Sequence, residues 1–123
     1  MTNKIHIPVM LREAVEALSV RHDGTYLDCT FGRGGHSREI LKLLGKKGRL
    51  IAFDRDLDAV NEGIKIQDSR FEIEHCAFSE IDKILKKKNI KKLDGILMDL
   101  GISSPQVDEA KRGFSFRLDS YLD

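Results

Sequence analysis

No apolar run in these 123 residues approaches the roughly 18 that span a bilayer, and Met1 to Lys4 opens no signal peptide. A cytoplasmic protein with no membrane contact is expected. Net charge is lacking too, since 21 basic and 20 acidic side chains leave a formal +1. A stand-alone nucleic-acid binder usually carries strong overall basicity, so any grip on nucleic acid must be local or lie elsewhere. Cysteine is scarce: Cys29 and Cys76 lack CxxC spacing, which speaks against a disulfide framework and a zinc site. No metal is expected, and both thiols read as small buried or half-buried side chains. Repeats and low-complexity stretches are missing as well. What remains is globular composition, 41% apolar and 33% charged, in a length that hides roughly two-thirds of its unfolded surface on folding.

Leu11, Ala14, Val15 and Leu18 recur at helical spacing after Pro8 and predict a short amphipathic entry helix that fades at Asp23-Gly24. Thr25 to Thr30 is rich in strand formers and runs straight into Gly32-Arg33-Gly34-Gly35, a strand followed by a glycine loop. Ser37 to Leu44 then carries Ile40, Leu41 and Leu44 on one helical face. Arg49 to Asp54 is the near-continuous apolar run of a strand covered on both faces. Helix, strand and helix follow over Asp56–Ile66, Phe71–Cys76 and Ser79–Lys88, and Asp94–Leu100 is a fourth strand. This alternation, with crossovers too long for hairpins, predicts a Rossmann-like α/β fold: a parallel sheet of about four strands with helices on both faces.

The tail from Gly101 to Asp123 shows turn chemistry at Ser103-Ser104-Pro105 and no clear element. The fourth strand is then as apolar as a central strand while nothing follows to pair with it, and such an edge invites aggregation. The expectation is a fragment of a longer protein, or else a homodimer or other partner over that edge. Residues 1–100 read as an incomplete cofactor-binding core and 101–123 as a loop leading out of it.

The glycine loop marks where a ligand can pass close to bare backbone. Its plain alternative is a tight strand-to-helix turn. A dinucleotide site wants GxGxxG, and Ser37 occupies the third glycine's place; Asp28, four residues before the loop, would repel a diphosphate but suits the ammonium of a methionine moiety. Both details favour S-adenosylmethionine over a nicotinamide cofactor. Asp54 ends the second strand about twenty residues on, where a carboxylate accepts ribose hydroxyls; alternatively it is a helix N-terminal acid. Arg55-Asp56 caps the next helix. Phe78 suits an adenine ring or the core equally well. Asp99, ending the fourth strand beside the first, faces the crevice where strand order reverses, or simply stops an apolar strand. His36 offers its backbone N–H at a helix start. Lysines 83, 86, 87, 88, 91 and 92 read as a solvated face, with RNA contact as the minority reading.

The motifs His6-Ile7-Pro8-Val9-Met10-Leu11, Thr30-Phe31-Gly32-Arg33-Gly34-Gly35-His36-Ser37, Asp54-Arg55-Asp56, Asp94 to Gln106 and Arg112 to Arg117 together resemble the bacterial ribosomal RNA small-subunit methyltransferase H (MraW) family over nearly the whole chain. The resemblance implies an S-adenosylmethionine-dependent methyltransferase fold and methylation of a cytidine N4 in 16S rRNA of the small ribosomal subunit. It implies cofactor contacts at Gly34, Gly35, His36, Asp54, Phe78, Asp99 and Gln106, the last of these on the family's authority alone. Members run to about 300 residues, with a helical substrate domain after the fourth strand. A catalytic proton acceptor would be Asp99 or the Ser103-Ser104-Pro105 turn, the usual Asn/Asp-Pro-Pro-aromatic signature being absent. The competing readings are a non-catalytic cofactor-binding module and an NAD-dependent oxidoreductase.

Overall fold

The structure, a computed structural model, describes residues 9–98 and 101–103. The chain enters through α1 (Val9–Leu18) and reaches β1 (Thr25–Asp28), α2 (Gly35–Leu43), β2 (Arg49–Asp54) and α3 (Leu57–Ile64). It continues through β3 (Phe71–His75), a 3₁₀ turn over Phe78–Glu80, α4 (Ile81–Lys87), β4 (Gly95–Met98) and β5 (Gly101–Ser103). The strands lie in the order β3-β2-β1-β4-β5, with β1 parallel to both β2 and β4, and β2 parallel to β3.

Handedness explains how the helices are distributed. Crossovers through α2 and α3 step outward from β1 to β2 to β3, whereas α4 carries the chain back across β2 and β1 to β4. Right-handed connections running in opposite directions must lie on opposite faces of a sheet. The core divides accordingly. Leu50 and Ala52 of β2 pack with Val15, Ile40 and Ala59 under α1, α2 and α3, while Ile51 and Phe53 of the same strand pack with Ile81 and Leu85 under α4. That two-sided cover is why β2 is buried from Leu50 to Asp54 and reads as an unbroken apolar run.

The helix ends follow local chemistry. Asp56 accepts a hydrogen bond from the Asp58 N–H at 2.9 Å and so caps α3, the role its sequence position predicts. Helix α4 closes on Asn89, at φ 61°, whose N–H donates to the Lys86 carbonyl while the Ile90 N–H reaches back to Leu85. This is the left-handed C-terminal turn that asparagine tolerates, and it drops Ile90 into the core beside Leu85.

Three expectations need correction. Pairing of β1 stops at Asp28, not Thr30, because the chain turns into the glycine loop. Helix α2 starts at Gly35, two residues early, because Gly34 at φ 84° already sets its entry. Most consequentially, the edge of β4 is not bare: Gly101–Ser103, expected to be loop, pairs antiparallel with Ile96–Met98. A partner is therefore not required over that stretch. Among the described residues no helix is long and apolar enough to cross a membrane.

Leu85 has no exposed surface, and replacing it by alanine should lower the unfolding free energy by about 2–5 kcal/mol. Urea denaturation of Leu85→Ala at unchanged slope reads this directly, and a loss under roughly 1 kcal/mol would contradict the packing under α4.

Candidate functional site

At the carboxyl end of β1 the backbone turns away between its neighbours, with the Cys29 N–H still bonded to the Leu97 carbonyl at 2.8 Å and the Phe31 N–H to that of Phe53 at 3.0 Å. Phe31 is 2% exposed and lies against Phe71 with ring centroids 5.8 Å apart, so the loop hangs from an aromatic anchor. Gly32 and Gly34 take φ values of +58° and +84°, a region L side chains rarely adopt. At Gly34 a Cβ would also stand 2.7 Å from Phe31 Cζ. Gly34 forms the N-cap of α2 without a side-chain cap, leaving the first-turn N–H groups of Gly35 and His36 free of such a partner.

Asp54 joins this loop to the next unit. Its carboxylate is 8% exposed; Oδ2 accepts the Gly32 N–H at 2.8 Å and Oδ1 accepts the Asp56 N–H at 2.9 Å. Each carboxylate oxygen has a second lone pair, so the group can still accept from a ligand. It opens onto a cleft of about 690 Å³ lined by Thr30, Gly32, Arg33, Asp54, Asp56, Asp58, Ala59 and Glu62. The sequence marks Asp56 only as a helix cap and does not single out Asp58 and Glu62, although these two stand at i,i+4 spacing on α3, the signal of a shared helical face.

Asp28 is placed differently from expectation. It is 1% exposed, with Oδ2 taking the Ser37 hydroxyl at 2.7 Å and Oδ1 the Thr30 N–H at 3.2 Å. A carboxyl so enclosed is not presented to a ligand's ammonium. Burial pushes its pKa up to about 7, against the opposing hydrogen bonds from Ser37 and Thr30, and nearby Asp54 raises it further. Ser37, fully buried, is thus the internal partner of Asp28 as well as the residue that displaces a third glycine.

Gly35 and His36 are half-buried in the first turn of α2, and burial lowers the His36 pKa. Phe78 opens the 3₁₀ turn after β3, half-buried against the α4-side core. The Cys76 N–H donates to the Asp54 carbonyl at 3.1 Å, which ties the chain two residues before Phe78 to the end of β2. Neither Phe78 nor the Gly34–His36 turn lines the Asp54 cleft itself. Asp99 and Gln106 lie outside the described residues. Both cysteines are free, Cys76 buried and Cys29 half-buried. Among the described residues no group of three or more His, Cys, Asp or Glu side chains could hold a metal ion.

Residues 3–123 match the MraW methylase family. The chain is 58% identical over 118 residues to a Methylobacillus flagellatus protein named ribosomal RNA small subunit methyltransferase H, a match that covers 96% of this chain and 37% of that protein. A Nitrosomonas europaea protein of the same name is 54% identical, covering 97% of this chain and 38% of its own length. The chain therefore spans little more than a third of these curated relatives. Among solved structures, a provisionally named rRNA-methylase from Clostridium thermocellum aligns at TM-score 0.65 and 18% identity, over 90% of this chain and 65% of its own. A SAM-dependent methyltransferase from Aquifex aeolicus aligns at TM-score 0.56 and 18% identity, over 79% and 51%. These structural likenesses establish the fold, a Rossmann-like α/β sheet.

The raised pKa of Asp28 makes stability depend on pH with a definite sign. The folded state holds the proton to about pH 7, the unfolded chain only to about 3.8, so the folded protein is the more protonated form between these values. Stability should fall as pH rises through that window, by about 1.4 kcal/mol per unit of pKa difference at most. Asp28→Asn keeps a donor for Ser37 and an acceptor for Thr30. Urea titrations from pH 4 to 8 should show a flatter profile for this variant than for the parent, and parallel profiles would contradict the assignment.

Proposed function

This chain belongs to the MraW methylase family, and on that premise we propose that it forms the S-adenosylmethionine-binding part of a cytoplasmic methyltransferase acting on small-subunit ribosomal RNA. The finer assignment is transfer to the exocyclic N4 of a cytidine in 16S rRNA. The observation that carries the reading is the union of Asp54 with the glycine loop: one carboxylate, bonded to Gly32 at 2.8 Å, walls a cleft at the carboxyl end of the sheet. Open α/β sheets collect ligands at that end, where strand order reverses.

The residues suit this cofactor. Gly34, at φ +84°, lets Phe31 and Arg38 pack where a Cβ would stand and so starts α2 at once, while Gly32 has open space where its Cβ would be and leaves the backbone bare toward the cleft. Asp54 keeps lone pairs for the ribose hydroxyls, each charged hydrogen bond contributing roughly 1.5–3 kcal/mol. His36 offers its N–H in the first turn of α2, Gly35 leaves its own backbone open, and Phe78 flanks the adenine. Asp99 and Gln106 complete the set by family resemblance. A dinucleotide fits less well, because the third glycine position holds Ser37, fully buried and bonded to Asp28.

When bound, the cofactor supplies an electrophilic methyl on its sulfonium. The cytosine amino group is a poor nucleophile because its lone pair is delocalised into the ring, so the protein must contribute position. Good orientation lowers such a barrier by about 7–11 kcal/mol. Turning the cytidine out of its stack brings the amino group to the end of β4, where Asp99 is the proposed acceptor of its proton. Residues 1–100 form the cofactor core in this reading and 101–123 lead toward a substrate domain, with Gly101–Ser103 lengthening the sheet first.

One observation favours a second reading: the chain covers only 37–38% of its relatives, so these residues alone bind the cofactor without transferring its methyl group. Calorimetry with S-adenosylhomocysteine and a methyl-transfer assay on small ribosomal subunits separate the two, since heat without transfer marks the module. Asp54→Ala should weaken S-adenosylhomocysteine binding roughly 10- to 150-fold. Folded protein that takes up NADH but not S-adenosylhomocysteine would overturn both readings.

A further inference from the structure

The formal charge of +1 conceals a separation of charge between the two ends of the sheet. The cleft at the carboxyl end carries Asp54, Asp56, Asp58 and Glu62. Helix α4 begins beside Phe78 at that end and runs to the other, so its last turn and the connector before β4 stand at the amino-terminal edge of the strands. Lys86, Lys87, Lys91 and Lys92 stand there, with Lys83 one turn back along α4, and all five are exposed. Lys83 has Lys86 and Lys87 as its i+3 and i+4 neighbours, a like-charge arrangement that by itself destabilises a helix. The helix dipole offsets this for Lys86 and Lys87 in the last turn, but not for Lys83, nor for Lys91 and Lys92 beyond the helix.

Internal pairing neutralises little of this charge. Lys88 is held inward by Glu72 at 2.5 Å and Glu74 at 2.8 Å, and Glu72 also takes Arg49 at 2.8 Å. Lys86 meets Asp82 at 3.4 Å. Lys83, Lys87, Lys91 and Lys92 have no ion pair among the described residues. The connector is anchored firmly, because Asn89 closes the helix and Ile90 and Leu93, on either side of Lys91 and Lys92, are 6% and 2% exposed. The backbone that carries Lys91 and Lys92 is therefore fixed, while their ammonium groups remain in solvent.

We infer that this array, Lys83, Lys86, Lys87, Lys91 and Lys92, is a docking surface for the phosphate backbone of RNA, distinct from the cofactor cleft. The choice of RNA as partner rests on the function proposed above. The composition of the face agrees, since the exposed large apolar residues, Leu43, Leu57 and Ile64, all belong to α2 and α3 across the sheet. A lipid surface asks for apolar side chains to insert beside the lysines, and α4 presents none outward. The six residues of β2 set the two ends roughly 20 Å apart, about twice the screening length in physiological salt. Charges at this edge do not act on a nucleotide in the cleft, so they serve a second segment of a large folded RNA.

The test is binding of the 123-residue chain to small-subunit rRNA across a series of KCl concentrations. Lys87→Gln/Lys91→Gln/Lys92→Gln should lower the slope of log affinity against log salt by about 2, at roughly 0.7 per lost phosphate contact on single strands. It should weaken binding at least tenfold at low salt while leaving the S-adenosylhomocysteine affinity and the melting midpoint unchanged. Lys42→Gln/Lys65→Gln, on α2 and at the end of α3 across the sheet, is the control and should bind RNA like the parent. The inference is overturned by an unchanged slope in the triple variant, by equal losses in the control, by no RNA binding in the parent, or by tighter binding to anionic phosphatidylserine vesicles than to RNA. Cofactor calorimetry tests the proposed function independently, so either result can fail without the other.

Discussion

One carboxylate holds the site together. Asp54 ends the most buried strand, and its two oxygens fasten two backbone segments that share no other hydrogen bond of this kind: the glycine loop through Gly32 and the entry to α3 through Asp56. Gly32 sits at φ +58°, one of several shapes open to glycine, and its hydrogen bond to the carboxylate favours this one. Because Asp54 is 8% exposed, its charge must be met by donors, and backbone N–H groups are the donors within reach. The cleft is thus shaped by a group that retains acceptor capacity toward it. Loop geometry and ligand recognition depend on the same side chain, which ties the fold to the function.

A second carboxyl, one strand away, works differently. Asp28 is closed off by Ser37 and Thr30, and Asp54 lies near enough to raise its pKa. Two adjacent acids with unlike surroundings divide the roles. One faces the cleft as an acceptor, and the other, its pKa raised to about 7, joins the first turn of α2 to the end of β1 from within. Ser37 takes part in that joint, which gives the serine at the third glycine position a structural reason as well as a diagnostic one.

Much of this was legible in the sequence. The apolar run from Arg49 to Asp54 gave the bounds of β2 outright, and Asp56 announced a helix cap, because burial on both faces and capping both act on neighbouring residues. The place of β4 beside β1 is expected from the Rossmann-like topology. What escaped depends on distance in the chain. Nothing in Gly101–Ser103 distinguishes a three-residue strand from a turn, since so short a piece is specified by the register of β4 and not by its own pattern. Asp28 was misread for a related reason: whether a carboxyl at a strand end faces a ligand or a buried hydroxyl depends on where α2 sets Ser37, nine residues on. The acids of α3 were visible as spacing, yet only the fold turned them toward the glycine loop.

The lysines show the same rule for charge. In a parallel sheet every strand begins at one edge and ends at the other, so residues scattered along the chain gather by whether they precede or follow a strand. Asp54 and Asp56 follow β2, whereas Lys91 and Lys92 precede β4, and topology alone sends them to opposite ends. Balanced composition therefore does not exclude a polyanion-binding surface in such a fold. The sum of charges bears on solubility, but what a surface meets is the local field, and that is set by strand direction, helix ends and which lysines are tied down, as Lys88 is and Lys87 is not.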